Sequence, residues 1–166
     1  MAKRLEVVVN LALLATCILA SAVLLQKLFP RGGRSSDAVA KLEVGDTLPS
    51  SWRVDVEAKR PRLVAVVRST CRFCTDSLSF YKDGVVAAGF PLVAVSDEPA
   101  EVTQTYLTQH GVHDAQIVSV PTSTLGVSGT PTVFAVDGRG VIRAREVGKL
   151  RPEGERHIVA TLVALR

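Results

Sequence analysis

The sequence has few of the residues that bind metal ions. It contains three histidines and three cysteines, and the cysteines are Cys17, Cys71 and Cys74, with no second Cys-x-x-Cys motif. A structural zinc site takes about four cysteine or histidine ligands. These residues are too few and too scattered to form such a set, so we predict no metal site and no cofactor.

The C-terminal part of the chain also lacks net charge. The formal net charge is +4, but residues 1–36 carry five basic residues and one acidic residue, whereas residues 37–166 carry 15 of each. Binding through nucleic-acid phosphates requires a basic surface. We therefore predict no nucleic-acid partner, and the basic surplus belongs to the N-terminal segment.

Residues 7–25 are an uncharged, mainly apolar run of 19 residues behind the basic pair Lys3 and Arg4. As a helix with ~1.5 Å rise per residue, this run would span about 28 Å, close to the ~30 Å hydrocarbon core of a bilayer. It has no polar face, which argues against a buried core helix. The predicted organisation is a tail at 1–6, a single transmembrane anchor at 7–25, a Gly/Ser-rich flexible linker at 26–40 and a folded domain at 41–166.

Two alternatives for this run stay open. The small residues Ala20 and Ala22 flank Ser21 in the pattern of a signal-peptide cleavage site, so the segment could be removed after Ala22. Acylation of Cys17 is less favoured, because Thr16 precedes it and because it lies in the middle of the run. The length of the run exceeds that of a usual signal-peptide core, which favours an uncleaved anchor.

The flanking charges do not fix the orientation of the anchor. Counting basic residues on each side would keep the domain in the cytoplasm, but long domains translocate largely regardless of nearby charge. A six-residue tail is typical of a cytoplasmic stub. We expect a single-pass protein of the cell membrane whose domain is extracytoplasmic, on the periplasmic or outer face.

Residues 71–74, Cys-Arg-Phe-Cys, separate a predicted strand from a predicted helix. Leu63–Val67 is a continuous apolar run, typical of a strand buried on both faces, and Cys71–Ala88 has a helical pattern. Cys71 is thus expected at a helix N-terminus with Cys74 one turn behind it, where the helix dipole and unpaired N–H groups stabilise a thiolate. Such positions lower a thiol pKa from about 8.5 to between roughly 3.5 and 7.5. The motif predicts a redox dithiol, with inert buried cysteines as the alternative.

The rest of the domain alternates predicted strands and helices. The order β-α-β-α-β-β-α indicates an α/β fold with a central mixed sheet flanked by helices, which cover both of its faces. In the first helix, the predicted buried face is Phe73, Leu78, Tyr81, Val85 and Val86. The later predicted elements are a strand Pro91–Ser96, a helix Ala100–His110, strands Gln116–Val120 and Thr132–Val136, an Asp-Gly hairpin turn at 137–140, a strand Val141–Val147 and a helix from Pro152 to about Leu165.

Four segments have the order and spacing of a known family. They are 44–49 (Val-Gly-Asp-Thr-Leu-Pro), 71–74, 126–132 (Gly-Val-Ser-Gly-Thr-Pro-Thr) and 137–142 (Asp-Gly-Arg-Gly-Val-Ile). Together they cover about residues 44–166. On these segments the chain resembles the thioredoxin superfamily and, within it, the membrane-anchored TlpA/ResA-like thiol-disulfide oxidoreductases.

The resemblance implies a thioredoxin-like fold and an activity. Cys71 and Cys74 would exchange electrons with thiols and disulfides of partner proteins, and a further redox partner, such as a membrane electron carrier, would restore the dithiol. Pro131 would be the family's cis-proline, with Thr130 before it, and both would bind an extended substrate by strand-like pairing. An ordinary turn proline is the alternative. The resemblance favours reduction, as in cytochrome maturation.

The sequence departs from the family around the dithiol. Thr70 replaces an aromatic residue, the strand before the motif lacks a buried acid, and Ser77 replaces a glutamate, so no proton acceptor for Cys74 is predicted. Ser69 and Thr70 are candidates for capping the helix. Thr70 is also a candidate for tuning the pKa of Cys71, as are the cations Arg68 and Arg72 if they lie close to it.

Three other functions stay open. A peroxiredoxin-like peroxide reductase needs Thr or Ser three residues before its reactive cysteine, where Cys71 has Arg68 and Cys74 has Cys71. A copper-delivery protein of this fold normally has wider cysteine spacing and a partnered histidine, for which there is no clear match. A non-catalytic thioredoxin-like binding or scaffold module fits the missing aromatic residue and the missing acid.

Overall fold

The computed structural model describes residues 41–52 and 60–166. The predicted tail, anchor and linker at 1–40 lie outside these residues, and the domain boundaries therefore stay predictions. Among the described residues, none of the helices combines the length and the hydropathy needed to cross a bilayer.

Five strands form one mixed sheet. They are β1 (Arg62–Val66), β2 (Leu92–Ser96), β3 (Ala115–Ser119), β4 (Thr132–Val136) and β5 (Ile142–Val147), and their order across the sheet is β3-β2-β1-β4-β5. β1, β2 and β3 are parallel, whereas β4 is antiparallel to both β1 and β5. The predicted mixed sheet is confirmed, and each strand lies within one residue of its predicted bounds.

The central strands are buried on both faces, as their apolar runs predict. Because side chains alternate along a strand, β1 contributes Leu63 and Ala65 to one core cluster and Val64 and Val66 to another on the opposite face. The sheet therefore separates two cores. We call them the dithiol-side core, which includes Cys74, and the far-side core, which does not.

The helices contribute their buried side chains to the dithiol-side core. They are α1 (Arg72–Asp76), α2 (Ala100–Gln109) and α3 (Pro152–Ala164), together with a π-helical segment, Phe80–Val86. The far-side core is closed instead by the segments around Trp52 and Leu125, which pack on Phe134 and its neighbours in the sheet. The predicted central mixed sheet flanked by helices is confirmed, but the prediction that helices cover both faces is wrong, because the α-helices and the π-helical segment pack on the dithiol side.

Most of the predicted helix from Cys71 to Ala88 is helical, but a turn at Ser77 interrupts it and its later part has π-helical winding. α1 ends at Asp76, and the Ser77 hydroxyl donates to the Phe73 carbonyl at 2.9 Å, a contact that bends helices. The chain resumes as the π-helical segment, in which a Cβ on Gly84 would lie 2.9 Å from the Phe80 ring. The widened turn brings the backbone of Gly84 against that ring.

The prediction that Phe73 is buried is also wrong. Its side chain is 51% exposed, whereas Cys74, the next residue, is fully buried. Because α1 begins only at Arg72, its first turn presents Phe73 to solvent while it directs Cys74 into the dithiol-side core. Leu78, Tyr81 and Val85 are buried as predicted.

Candidate active site

Cys71 is the N-cap residue of α1. Its backbone is extended, with φ −87° and ψ 108°, and its sulfur accepts a hydrogen bond from the Cys74 N–H at 3.2 Å. Both cysteines are free thiols; Cys71 is half-buried and Cys74 is buried. The sulfur nearer solvent thus lies at the positive end of the helix, where an anion is stabilised.

The two thiols have opposite pKa shifts. Burial raises the pKa of Cys71, but hydrogen bonds from the side chains of Cys74 and Thr130, and from the backbone of Cys74 and Phe73, bring it below its usual value. The pKa of Cys74 is raised to about 12, mainly by burial and secondly by the hydrogen bond to Cys71. As the pH rises, Cys71 is therefore the first of the two thiols to ionise.

Thr130 and Pro131 lie beside the dithiol. The peptide bond between them is cis, and the Cys71 thiol donates to the Thr130 carbonyl at 3.3 Å. They come directly before β4, which pairs with the strand that leads to Cys71. The sheet therefore brings together two segments that are 59 residues apart.

Arg68 follows β1 and forms an ion pair with Asp97. The Arg68 Nε donates to Oδ1 at 2.7 Å and a terminal nitrogen donates to Oδ2. The pair raises the pKa of Arg68 and lowers that of Asp97. A carboxylate thus already neutralises the Arg68 charge, which the sequence-based expectation left out.

The other two candidate tuning residues are exposed. Arg72 takes part in none of the hydrogen bonds or ion pairs found among the described residues, and Thr70 is exposed as well. The prediction that Ser69 and Thr70 cap the helix is wrong, because the N-cap is Cys71. Ser69 instead donates its N–H and its hydroxyl to the Glu98 carboxylate, both at 2.7 Å.

Sequence reasoning missed Asp97 and Glu98. The signal was available: these residues directly follow β2, as Arg68 and Ser69 follow the neighbouring β1. Carboxyl ends of adjacent parallel strands meet at one edge of a sheet. Two acids that follow β2 and an arginine that follows the adjacent β1 could therefore be expected to lie close together.

Solved structures are similar to this chain, although no protein-family model and no curated protein sequence matches it. A thio-disulfide isomerase from Thermus thermophilus is 18% identical with a TM-score of 0.54, over 73% of this chain and 97% of that one. The thioredoxin domain of a thiol-disulfide oxidoreductase from Bacteroides vulgatus is 19% identical with a TM-score of 0.56, over 74% and 99%.

The fold is thioredoxin-like. A third similar structure is a secreted disulfide oxidoreductase from Mycobacterium tuberculosis, 10% identical with a TM-score of 0.50, over 64% of this chain and 82% of that one. The predicted thioredoxin-like fold is confirmed. At these identities the likeness establishes the fold alone.

Two tyrosines of the thioredoxin-like domain lie near the dithiol and were not predicted as part of the site. Burial raises the pKa of Tyr81 well above its usual value, and Cys74 adds to the shift. Its hydroxyl is buried and makes no hydrogen bond in the described part of the chain. The Tyr106 hydroxyl lies 3.2 Å from that of Thr75, and burial raises its pKa to about 12. Both tyrosines are neutral at pH 7.

A groove of about 780 Å³ lies on one side of α1. Phe73 lines it, together with Val147 and Gly148 at the end of β5 and residues at the start of α3. The Phe73 and Val147 side chains are 51% and 43% exposed. Two exposed apolar side chains therefore lie in a groove that is otherwise lined mainly by charged and polar residues. Among the described residues, no cluster of three or more His, Cys, Asp and Glu side chains could hold a metal ion.

Proposed function

We propose that this protein is a thiol-disulfide oxidoreductase that exchanges electrons with partner proteins through Cys71 and Cys74. The observation that carries the proposal is the contrast between the two thiols. Cys71 reaches solvent and has a lowered pKa, whereas Cys74 is buried and has a pKa of about 12. Exchange requires one thiolate that can attack a partner and one thiol that is held in reserve.

The reaction proceeds in two balanced steps. The Cys71 thiolate attacks one sulfur of a partner disulfide; a mixed disulfide forms, and the other partner sulfur leaves as a thiolate that takes up a proton. Cys74 then loses its proton and attacks the Cys71 sulfur, which releases the second partner thiol. Two electrons pass to the partner, and Cys71 and Cys74 become a disulfide.

The surroundings of Cys71 support a polypeptide substrate. The cis bond between Thr130 and Pro131 lies against the Cys71 sulfur, and the exposed Phe73 lines the groove on α1. In this proposal, an extended partner chain pairs with the backbone beside Pro131 while its apolar side chains contact Phe73.

The proposal includes a membrane location. The apolar run at 7–25 is the anchor, the domain lies outside the cytoplasm, and a membrane electron carrier serves as the second redox partner. The similar protein from Mycobacterium tuberculosis is described as secreted. In a bacterial host, the anchor predicts that the chain stays with membranes after alkaline carbonate extraction, and protease added to spheroplasts should cleave the domain. Release into the soluble fraction would instead indicate cleavage after Ala22.

The deciding experiment measures the reduction potential of the dithiol against glutathione or dithiothreitol buffers. A value near −270 mV indicates a reductant and a value near −120 mV indicates an oxidant. The Cys74→Ser variant should trap mixed disulfides with partner proteins, whereas Cys71→Ser should trap none. If no reversible two-electron couple exists, the proposal fails and a non-catalytic binding module takes its place.

A further inference from the structure

Arg68 contacts the dithiol through its backbone as well as through its charge. Its carbonyl accepts from the Cys71 N–H at 3.1 Å, and its backbone lowers the pKa of Cys74 against the larger effect of burial. The placement of Arg68 therefore affects both reacting sulfurs, and the groups that hold it in place act on the site indirectly.

Asp97 is the group that holds the Arg68 side chain. Both of its carboxylate oxygens accept from the guanidinium, and Oδ2 also accepts from the Thr122 hydroxyl at 2.7 Å. The Asp97 side chain is 11% exposed and that of Arg68 is 39% exposed. A bidentate pair of this kind fixes the direction of the guanidinium.

Arg68 is the cation whose charge interacts with Cys71, and two acids, Asp97 and Glu98, act on Arg68. Cys74, Tyr81 and Tyr106 also interact with Cys71, and they are uncharged near pH 7 because their pKa values are raised. Arg72, the other nearby cation, is exposed, so solvent screens its charge. Glu98 stays bound to Ser69 in either case, so the net charge around Arg68 depends on whether Asp97 neutralises it.

We propose that Asp97 is a positioning residue of the dithiol, which holds and neutralises Arg68 and so limits how strongly that arginine stabilises the Cys71 thiolate. This inference rests on the proposed function, in which the Cys71 thiolate is the attacking group. It assigns a role in the exchange reaction to an acid on the neighbouring strand, outside the Cys-x-x-Cys motif.

The neighbouring contacts allow the charge of Asp97 to be tested without releasing the segment. Ser69 remains bound to Glu98, and the Val67 N–H still donates to the Val95 carbonyl at 2.9 Å. An asparagine at position 97 also retains one carbonyl oxygen for Arg68. Asp97→Asn therefore removes the negative charge and keeps the segment paired at two other places.

The test is a pH titration of the Cys71 thiolate in the reduced 166-residue protein, purified in mild detergent and followed by thiolate absorbance and by alkylation, with Cys17→Ser in every variant so that the third thiol of the chain does not contribute. Asp97→Asn should lower the midpoint by about half a unit to one unit, since a guanidinium that no carboxylate neutralises favours the thiolate even when it is partly solvated. Arg68→Met should raise the midpoint, and the double variant should return near the wild-type value. Asp83→Asn removes the same charge from an exposed side chain and should change nothing.

Opposite shifts that cancel in the double variant distinguish this role from a structural one. If Asp97→Asn leaves the midpoint unchanged, or if both single variants shift it in the same direction, the inference is overturned. The midpoint is measured without any partner protein. A wild-type chain that lacks a reversible redox couple would overturn the proposed function separately.

Discussion

Cys71 and Cys74 share a hydrogen bond but differ in their access to solvent. Cys71 is half-buried at the start of α1, and Cys74 is fully buried one turn further on. Burial disfavours the charged form of a thiol. The position of each sulfur in the first turn therefore determines whether it ionises and attacks first or stays protonated until the second step.

This difference predicts the pH dependence of thiol alkylation. In the reduced Cys17→Ser protein, which keeps the two cysteines of the motif, one equivalent of iodoacetamide should react at pH 7, entirely at Cys71, because the pKa of this thiol lies below its ordinary value. Cys74 should stay unmodified until the pH approaches about 12. Peptide mapping after alkylation identifies the modified residue, and Cys71→Ser should abolish the reaction at pH 7. Equal labelling of both cysteines would contradict the assignment.

Phe73 provides a second test at the residue scale. Phe73→Ala should slow exchange with a protein disulfide several-fold, because the groove beside α1 loses its exposed ring, while exchange with a small disulfide stays within about twofold. Val163→Ala, which shortens another side chain that is 54% exposed, is the matched control. An equal loss with both kinds of substrate would assign Phe73 to the chemistry instead of to docking.

At the scale of single elements, the hairpin between β4 and β5 depends on the Asp137 carboxylate. Its Oδ1 accepts from the N–H groups of Arg139 and Val141, both at 2.9 Å, and its Oδ2 accepts from the Arg143 guanidinium. Burial opposes ionisation, but these contacts together lower the pKa of Asp137. One buried carboxylate therefore accepts the free N–H groups of the turn and also binds Arg143 in β5.

We expect Asp137→Asn to reduce the free energy of unfolding by about 1–3 kcal/mol, the usual effect of breaking charged hydrogen bonds at a buried group. Because the folded-state pKa is lowered, the wild-type advantage is present above about pH 4 and is lost as the pH falls below it. Urea unfolding of both proteins at pH 7 and pH 3 measures this. The exposed Asp83→Asn should stay within about 0.5 kcal/mol of wild type at pH 7.

The strands were predictable and the first helix was only partly so. The apolar runs at 63–67 and 132–136 have no polar side that could suggest another structure, so burial on both faces followed directly. The break after Asp76 depends on one hydrogen bond from Ser77 and on the approach of Gly84 to Phe80. The pattern of hydrophobic residues along the chain contains no information about either contact.

The same reasoning explains which parts of the site could be predicted. The dithiol, Thr130 and Pro131 lie in short sequence motifs that can be recognised without knowledge of the fold. The ion pair between Arg68 and Asp97 joins residues 29 positions apart, and only the parallel pairing of β1 with β2 brings them together. The effect of this ion pair on Cys71 could therefore not be predicted, because the sequence alone does not determine which strands are neighbours in the sheet.

At the scale of the whole molecule, the buried Cys74 thiol makes the stability of the reduced protein depend on pH. The folded-state pKa of Cys74 is raised to about 12, so its contribution to stability is fully present below the unfolded value of about 8.5 and is lost as the pH rises above it. We predict that the reduced protein loses stability relative to Cys74→Ser as the pH increases from 8 to 11. Unfolding by urea at a series of pH values tests this, and parallel curves would contradict it.

Trp52 lies in the far-side core, across the sheet from the dithiol. It is the one tryptophan of the chain, its ring packs 6.3 Å from that of Phe134, and its indole is almost fully buried. Thr70, directly before the dithiol, has no ring. Tryptophan fluorescence should therefore report loss of the fold and stay unchanged when the dithiol is oxidised, so that a spectroscopist who follows turnover through tryptophan emission needs an extrinsic dye instead.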